Sequence, residues 1–199
     1  MAQDLREKGY SIQPNAIPDR VAKALLHQLS NLGDHDFQKA AIGRGRRTAT
    51  NQFIRLNKIS WIDEDQPDSA TWLQWMLSLQ NYLNRTLFLG LFSFESHFSL
   101  YEKGGRYKRH LDAFKGERNR IVSLVTYLNE GWQPDQGGEL VLYPEGREPL
   151  HITPAFGTLV LFLSEELTHE VRPTKRLRHG VAGWFRLNTS VHQQIDPPK

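Results

Sequence analysis

Two side chains that bind metals stand two residues apart, at His110 and Asp112, and a third, His169, follows much later in the chain. In an extended strand, residues two apart share a face, so the first pair presents an imidazole and a carboxylate side by side. A second imidazole from a distant strand completes a set that covers one face of an octahedral iron(II) and leaves three positions open. Cysteine is absent, which excludes disulfides, zinc–thiolate sites and thiol nucleophiles, so a metal must be held by imidazole and carboxylate. A His-x-Asp pair alone is common by chance. His27, His35, His97, His151 and His192 are accordingly expected to be surface or hydrogen-bonded core groups.

An arginine makes the trio more specific. Arg178 opens the run Arg178-His-Gly-Val-Ala-Gly-Trp-Phe-Arg-Leu, and alternation puts Arg178, Gly180, Ala182 and Trp184 on one face. The guanidinium then has small neighbours and room for a ligand. Its planar fork can pair both oxygens of a carboxylate, which suits a dicarboxylic acid. Arg172, Lys175 and Arg176 flank Pro173 in an expected turn and should face water.

These residues need a rigid frame, and the sequence describes one. Val21, Leu25, Leu29 and Leu32 fall on one stripe between Pro18 and Leu32, predicting an amphipathic helix closed at Gly33. A second helix is predicted from Asp68 or Ser69 to about Asn84, with Trp72, Trp75, Met76, Leu79 and Leu83 inward. From Phe92 onward short β-rich runs separated by Gly, Pro and Asn predict a sandwich or barrel. The expected strands are 93–101, 108–112, 120–128, 139–143, 158–163, 169–171 and 178–187. On the strand 120–128, Tyr127 should share its face with Ile121, Ser123 and Val125. Between the helices, Gly43 to Gln52 is polar, rich in glycine and carries Arg44, Arg46 and Arg47, which reads as a finger before the strand-like Phe53 to Ile62.

The chain has 199 residues, 39% hydrophobic and 24% charged, which suits one soluble domain with its own core. Twenty-five Lys and Arg against 22 Asp and Glu is too even a balance to demand a nucleic acid. No apolar run approaches the roughly 20 residues needed to cross a bilayer, and the first residues lack the apolar core of a signal peptide, so a cytoplasmic monomer is expected.

The chain resembles the prolyl 4-hydroxylase family of iron(II)- and 2-oxoglutarate-dependent oxygenases, most closely the prolyl-hydroxylase-domain oxygen sensors and their bacterial relatives. The likeness spans roughly 41–187. It rests on Arg55-Leu-Asn-Lys-Ile-Ser-Trp-Ile62, Arg106-Tyr-Lys-Arg-His-Leu-Asp112, Tyr127-Leu-Asn129, Gly137-Gly-Glu-Leu140, Tyr143-Pro-Glu-Gly146, His169-Glu-Val-Arg-Pro173 and Arg178 through Trp184.

The resemblance implies a mainly β protein with flanking N-terminal helices (about 1–90) and a double-stranded β-helix, or jelly-roll, core (about 91–190). It implies iron(II) on His110, Asp112 and His169, O2 as oxidant, 2-oxoglutarate on Arg178 with Tyr127, Tyr101 and Val125 around it, and ascorbate as a reductant. It further implies a protein substrate with a target proline, met by the finger, Trp61 and Trp184. Bacterial members have been linked to elongation factor Tu. Where the family has an aspartate paired with an arginine, this chain has Asn57 facing the equivalent Arg120. Two other readings stay open at this point: an oxygenase of nucleic acid or a small molecule, and a silent metal-binding interaction module.

Overall fold

In a computed structural model that describes residues 1–40, 54–66, 68–113 and 119–188, three helices lean on two antiparallel β-sheets. The helices are α1 (Ala2–Lys8), α2 (Asp19–Asn31) and α3 (Ser69–Leu87). The strands are β1 (Tyr10–Gln13), β2 (Gln38–Lys39), β3 (Lys58–Trp61), β4 (Ser93–Tyr101), β5 (Tyr107–His110), β6 (Arg120–Tyr127), β7 (Leu140–Tyr143), β8 (Leu150–Ile152), β9 (Leu159–Leu163), β10 (Thr168–Val171) and β11 (Arg178–Arg186). The major sheet runs β1-β9-β6-β11-β4-β3-β2 and the minor sheet β5-β10-β7-β8. From β4 on, the chain passes back and forth between the two, the jelly-roll arrangement that the family resemblance implies.

The central strands of the major sheet are buried on both faces, and their alternation sorts side chains between two cores. Phe98, Val122, Leu124, Leu159, Leu161, Val181 and Phe185 point outward to meet Val21 and Leu25 of α2 and Trp72, Met76 and Leu83 of α3. Each such side chain contributes roughly 1.5–3 kcal/mol by leaving water. The Trp72 indole donates to Ser96 Oγ at 3.0 Å, so its polar atom is satisfied inside this layer. Tyr101, Tyr127, Val160 and Phe162 point the other way and pack with Leu140, Leu142 and Ile152 of the minor sheet. The helices therefore brace the back of the sheet whose front carries the site.

Two expectations change here. The N-terminal region supplies strands as well as helices: β1 pairs with β9, with Tyr10 opposite Phe162. Ile121 does not share Tyr127's face. The β6–β11 register pairs Val122 with Phe185 but Arg120 with Arg186, which leaves Ile121 as an extra residue, and it packs in the helix-side core. Among the described residues no helix is long and apolar enough to cross a membrane.

Candidate active site

His110 and His169 sit directly opposite each other across the β5–β10 pair. One ligand atom from each, and one from Asp112, all lie within 4.8 Å of one another. Asp112 Oδ1 is 3.5 Å from His110 Nε2 and its Oδ2 is 3.7 Å from His169 Nε2. The expected strand 108–112 ends earlier than predicted: β5 stops at His110, and Asp112 lies in a bend beyond it. The carboxylate therefore reaches the imidazoles through that bend and not through strand alternation.

Hydrogen bonds fix which nitrogen of each ring is free. His110 Nδ1 lies 2.8 Å from the Lys108 carbonyl and His169 Nδ1 lies 3.1 Å from the Leu167 carbonyl. A carbonyl can only accept, so both Nδ1 atoms carry the proton and both Nε2 lone pairs face Asp112. Burial pushes His169 down to about 4, against the pull of Asp112, which keeps it neutral and able to ligate at neutral pH. For Asp112, burial would raise the pKa, but His169, which carries a charge in the acid range where the carboxyl would titrate, and the Ser123 hydroxyl outweigh it and hold the acid well below the usual carboxylate range. Two imidazoles and one carboxylate with lone pairs converging is a donor set suited to iron(II).

Sequence reasoning placed Ser123 on the same strand face as Tyr127 but missed its task. Its hydroxyl donates to Asp112 Oδ2 at 2.7 Å, and Ser164 Oγ lies 2.9 Å from Ser123 Oγ. Nothing in the sequence pairs residues so far apart. Phe162 packs on His169 with ring centroids 4.6 Å apart.

Further along the same surface lies Arg178, only 2% exposed. Its Nε donates to the Gly138 carbonyl at 2.8 Å, and its guanidinium carbon stands 4.9 Å from the Tyr101 ring and 5.0 Å from the Tyr127 ring. Gly138 has φ +73, and a side chain there would meet Arg178 Cδ at 3.1 Å, so glycine leaves the arginine its place. Gly180 pairs with Tyr127, and Ala182 with Val125. Burial pushes the Tyr127 phenol up to about 12, with Arg178 pulling the other way. Arg178 Nη2 and Tyr127 Oη are buried without a hydrogen-bond partner among the described residues. Arg172, Lys175 and Arg176 are exposed, as expected.

At the other end of this surface, His97 lies between Trp61 and Trp184, with ring centroids 5.2 and 5.4 Å away. Trp61 is 36% exposed, whereas Trp184 is buried with an indole N–H that has no partner among the described residues. The Arg120 guanidinium lies 3.8 Å over the Trp184 ring. Arg120 does not turn to Asn57: it donates to Glu95 Oε1 at 2.6 and 2.9 Å, while Asn57 Oδ1 accepts from Arg55 Nε at 2.7 Å. Glu95 offers a full charge and so takes the arginine that an amide would hold more weakly. Arg44, Arg46 and Arg47 lie outside the described residues.

Residues 96–186 match the model of the 2OG-Fe(II) oxygenase superfamily. The fold is similar to a prolyl-4-hydroxylase from Pseudomonas putida, at 38% identity over 94% of this chain and 96% of that one, with a TM-score of 0.84. A prolyl hydroxylase from Trichoplax adhaerens, solved with a hypoxia inducible factor oxygen degradation domain peptide, is 27% identical over 93% and 86%, with a TM-score of 0.79. A viral collagen prolyl hydroxylase of Paramecium Bursaria Chlorella virus-1, solved with 2OG, is 15% identical over 92% and 98%, with a TM-score of 0.63, and shares the fold. A triad of this composition on a sheet that matches those proteins almost end to end makes the chain a 2-oxoglutarate- and iron(II)-dependent dioxygenase of the prolyl 4-hydroxylase family.

Proposed function

We propose that the protein hydroxylates C4 of a prolyl residue in another protein, with iron(II) held by His110, Asp112 and His169 and 2-oxoglutarate held by Arg178 and Tyr127 between Tyr101 and Val125. The observation that carries the co-substrate assignment is the pair of unpartnered donors, Arg178 Nη2 and Tyr127 Oη, buried together in the site. A buried donor left without an acceptor costs about 1–3 kcal/mol. A carboxylate between them satisfies both, and the guanidinium balances its charge.

When bound, the metal and 2-oxoglutarate supply the oxidising chemistry: O2 is consumed, the oxo acid leaves as succinate and carbon dioxide, and one substrate C–H becomes C–OH. The chain supplies position. Both imidazoles present Nε2 because backbone carbonyls hold their Nδ1 protons, and Asp112 stays ionised and aimed by Ser123. Phe162 and the leucines of the inner core keep water from the site. Trp184 offers its unpartnered indole N–H to a peptide carbonyl, with Trp61 completing the mouth. Similarity to two prolyl hydroxylases, one of them solved with a peptide, supports a peptide target. Arg44, Arg46 and Arg47 are proposed to steer an acidic protein surface, and elongation factor Tu is the folded target to assay first, with ascorbate as reductant.

The test is mass spectrometry of proline-containing peptides and of elongation factor Tu after incubation with iron(II), 2-oxoglutarate and air. A gain of one oxygen on proline, matched by succinate, is expected. Oxidation of oligonucleotides instead of peptides would overturn the substrate assignment.

A further inference from the structure

Tyr107 and His110 are three apart on β5, and in a regular strand an odd spacing sends side chains to opposite faces. Here they share a face. β10 pairs His169 with His110 but Val171 with Tyr107, so three steps on β5 answer two on β10, and the irregularity rotates Tyr107 onto the side of the metal ligand. The two rings stack with centroids 3.5 Å apart and planes 20° from parallel. On the Tyr107 ring lies the Arg55 guanidinium, 4.6 Å from the centroid, and that arginine is anchored in turn by Asn57.

The backbone holds this stack from both sides. Arg55 forms a bridge with Tyr107, Leu56 N–H donates to the Arg106 carbonyl at 2.8 Å, and Lys108 N–H donates to the Ile54 carbonyl at 2.9 Å. Residues 54–57 thus join the free edge of the minor sheet to β3 of the major one. The bond from His110 Nδ1 to the Lys108 carbonyl sets the tautomer but leaves the ring free to rock about it. A flat surface pressed on one face removes that freedom, and a cation on the far side of the phenol strengthens the contact.

We propose that Arg55 and Tyr107 are positioning residues for His110, fixing the plane of its imidazole so that metal affinity depends on the packing of segment 54–57 against β5. This rests on the reading of His110 as a metal ligand. The segment continues directly from Gly43–Gln52, so a change at its anchor, Asn57–Arg55, reaches the metal through two rings.

The test is Co(II) affinity of the metal-free full-length protein, measured by calorimetry without 2-oxoglutarate, alongside melting temperature. Y107F keeps a flat ring and should bind Co(II) within about twofold of wild type, while Y107L fills the space without one and should bind about tenfold more weakly, the range seen for groups that orient metal ligands. R55A should weaken binding about threefold, R55K should restore it, and R55A should add nothing in the Y107L background, because the arginine acts through the ring. Equal affinity of Y107L and Y107F, or additive losses in the double variant, would overturn the proposal. H110A separates the two readings: if it leaves Co(II) binding intact, the ligand assignment fails; if it abolishes binding while Y107L does not alter it, only the stack fails.

Discussion

Ser123 donates to Asp112 Oδ2 at 2.7 Å from β6, a strand that supplies none of the three converging side chains His110, Asp112 and His169. The bond ties the acid, which sits past the end of its own strand, to a buried strand of the major sheet. Removing it takes away the hydroxyl that orients Asp112 and leaves the acid to the bend and the two imidazoles. S123A should weaken metal binding about tenfold and lower kcat/KM with it, at a cost to folding of only about 1 kcal/mol. Equilibrium titration with Mn(II) checks this, and unchanged affinity would show that the bend alone positions the acid.

Arg178 and Tyr127 differ in what they offer a carboxylate, so their variants should differ in size. R178K keeps the charge but loses the fork, and the 2-oxoglutarate KM should rise about 10- to 100-fold. Y127F loses one neutral hydrogen bond, and the rise should be about fivefold. Both should leave Co(II) affinity near wild type, since neither touches the triad. Steady-state succinate release at varied 2-oxoglutarate measures the two effects.

His97 gives a pH prediction. Burial, helped by the Arg55 charge, lowers it from the ordinary 6.5 to about 3. Between those values the unfolded chain takes up a proton that the folded one refuses, so stability is lost as pH falls below 6.5, by about 1.4 kcal/mol per pH unit from this residue. H97Q lacks that proton. Its stability deficit relative to wild type, from urea unfolding, should therefore narrow by roughly 1 kcal/mol between pH 6.5 and 5.5. Parallel curves for the two proteins would place the imidazole in water.

The Trp184 indole N–H is buried without a partner among the described residues, and the proposed function gives it a substrate carbonyl. W184F keeps the ring over which Arg120 lies but loses that donor. The peptide KM should rise about 3- to 10-fold with little change in the KM for 2-oxoglutarate, which hydroxylation kinetics at saturating co-substrate will show.

The triad was readable because its residue types are restrictive and cysteine is absent. The buried place of Arg178 on the inner face was readable because small residues alternate with it along one strand. What could not be read depends on neighbours distant in sequence. Strand alternation alone would send Tyr107 to the face opposite His110, and the register change that turns it back belongs to the pairing with β10. Ile121 was misplaced for the same reason at the start of β6. Strand spacing put Asp112 beside His110 by a rule that does not apply, as the strand has already ended. The Arg120 partner was assigned to Asn57 by resemblance, and Glu95 captured it because a charge competes better than an amide.

The most direct test is anaerobic iron(II) titration of wild type, D112A and H169A, followed by succinate release on admitting air with 2-oxoglutarate present. Wild type should bind one iron and release succinate, and each variant should lose iron affinity at least about 100-fold and turnover with it. Full turnover in either variant would mean that the metal, and the chemistry, sit somewhere else.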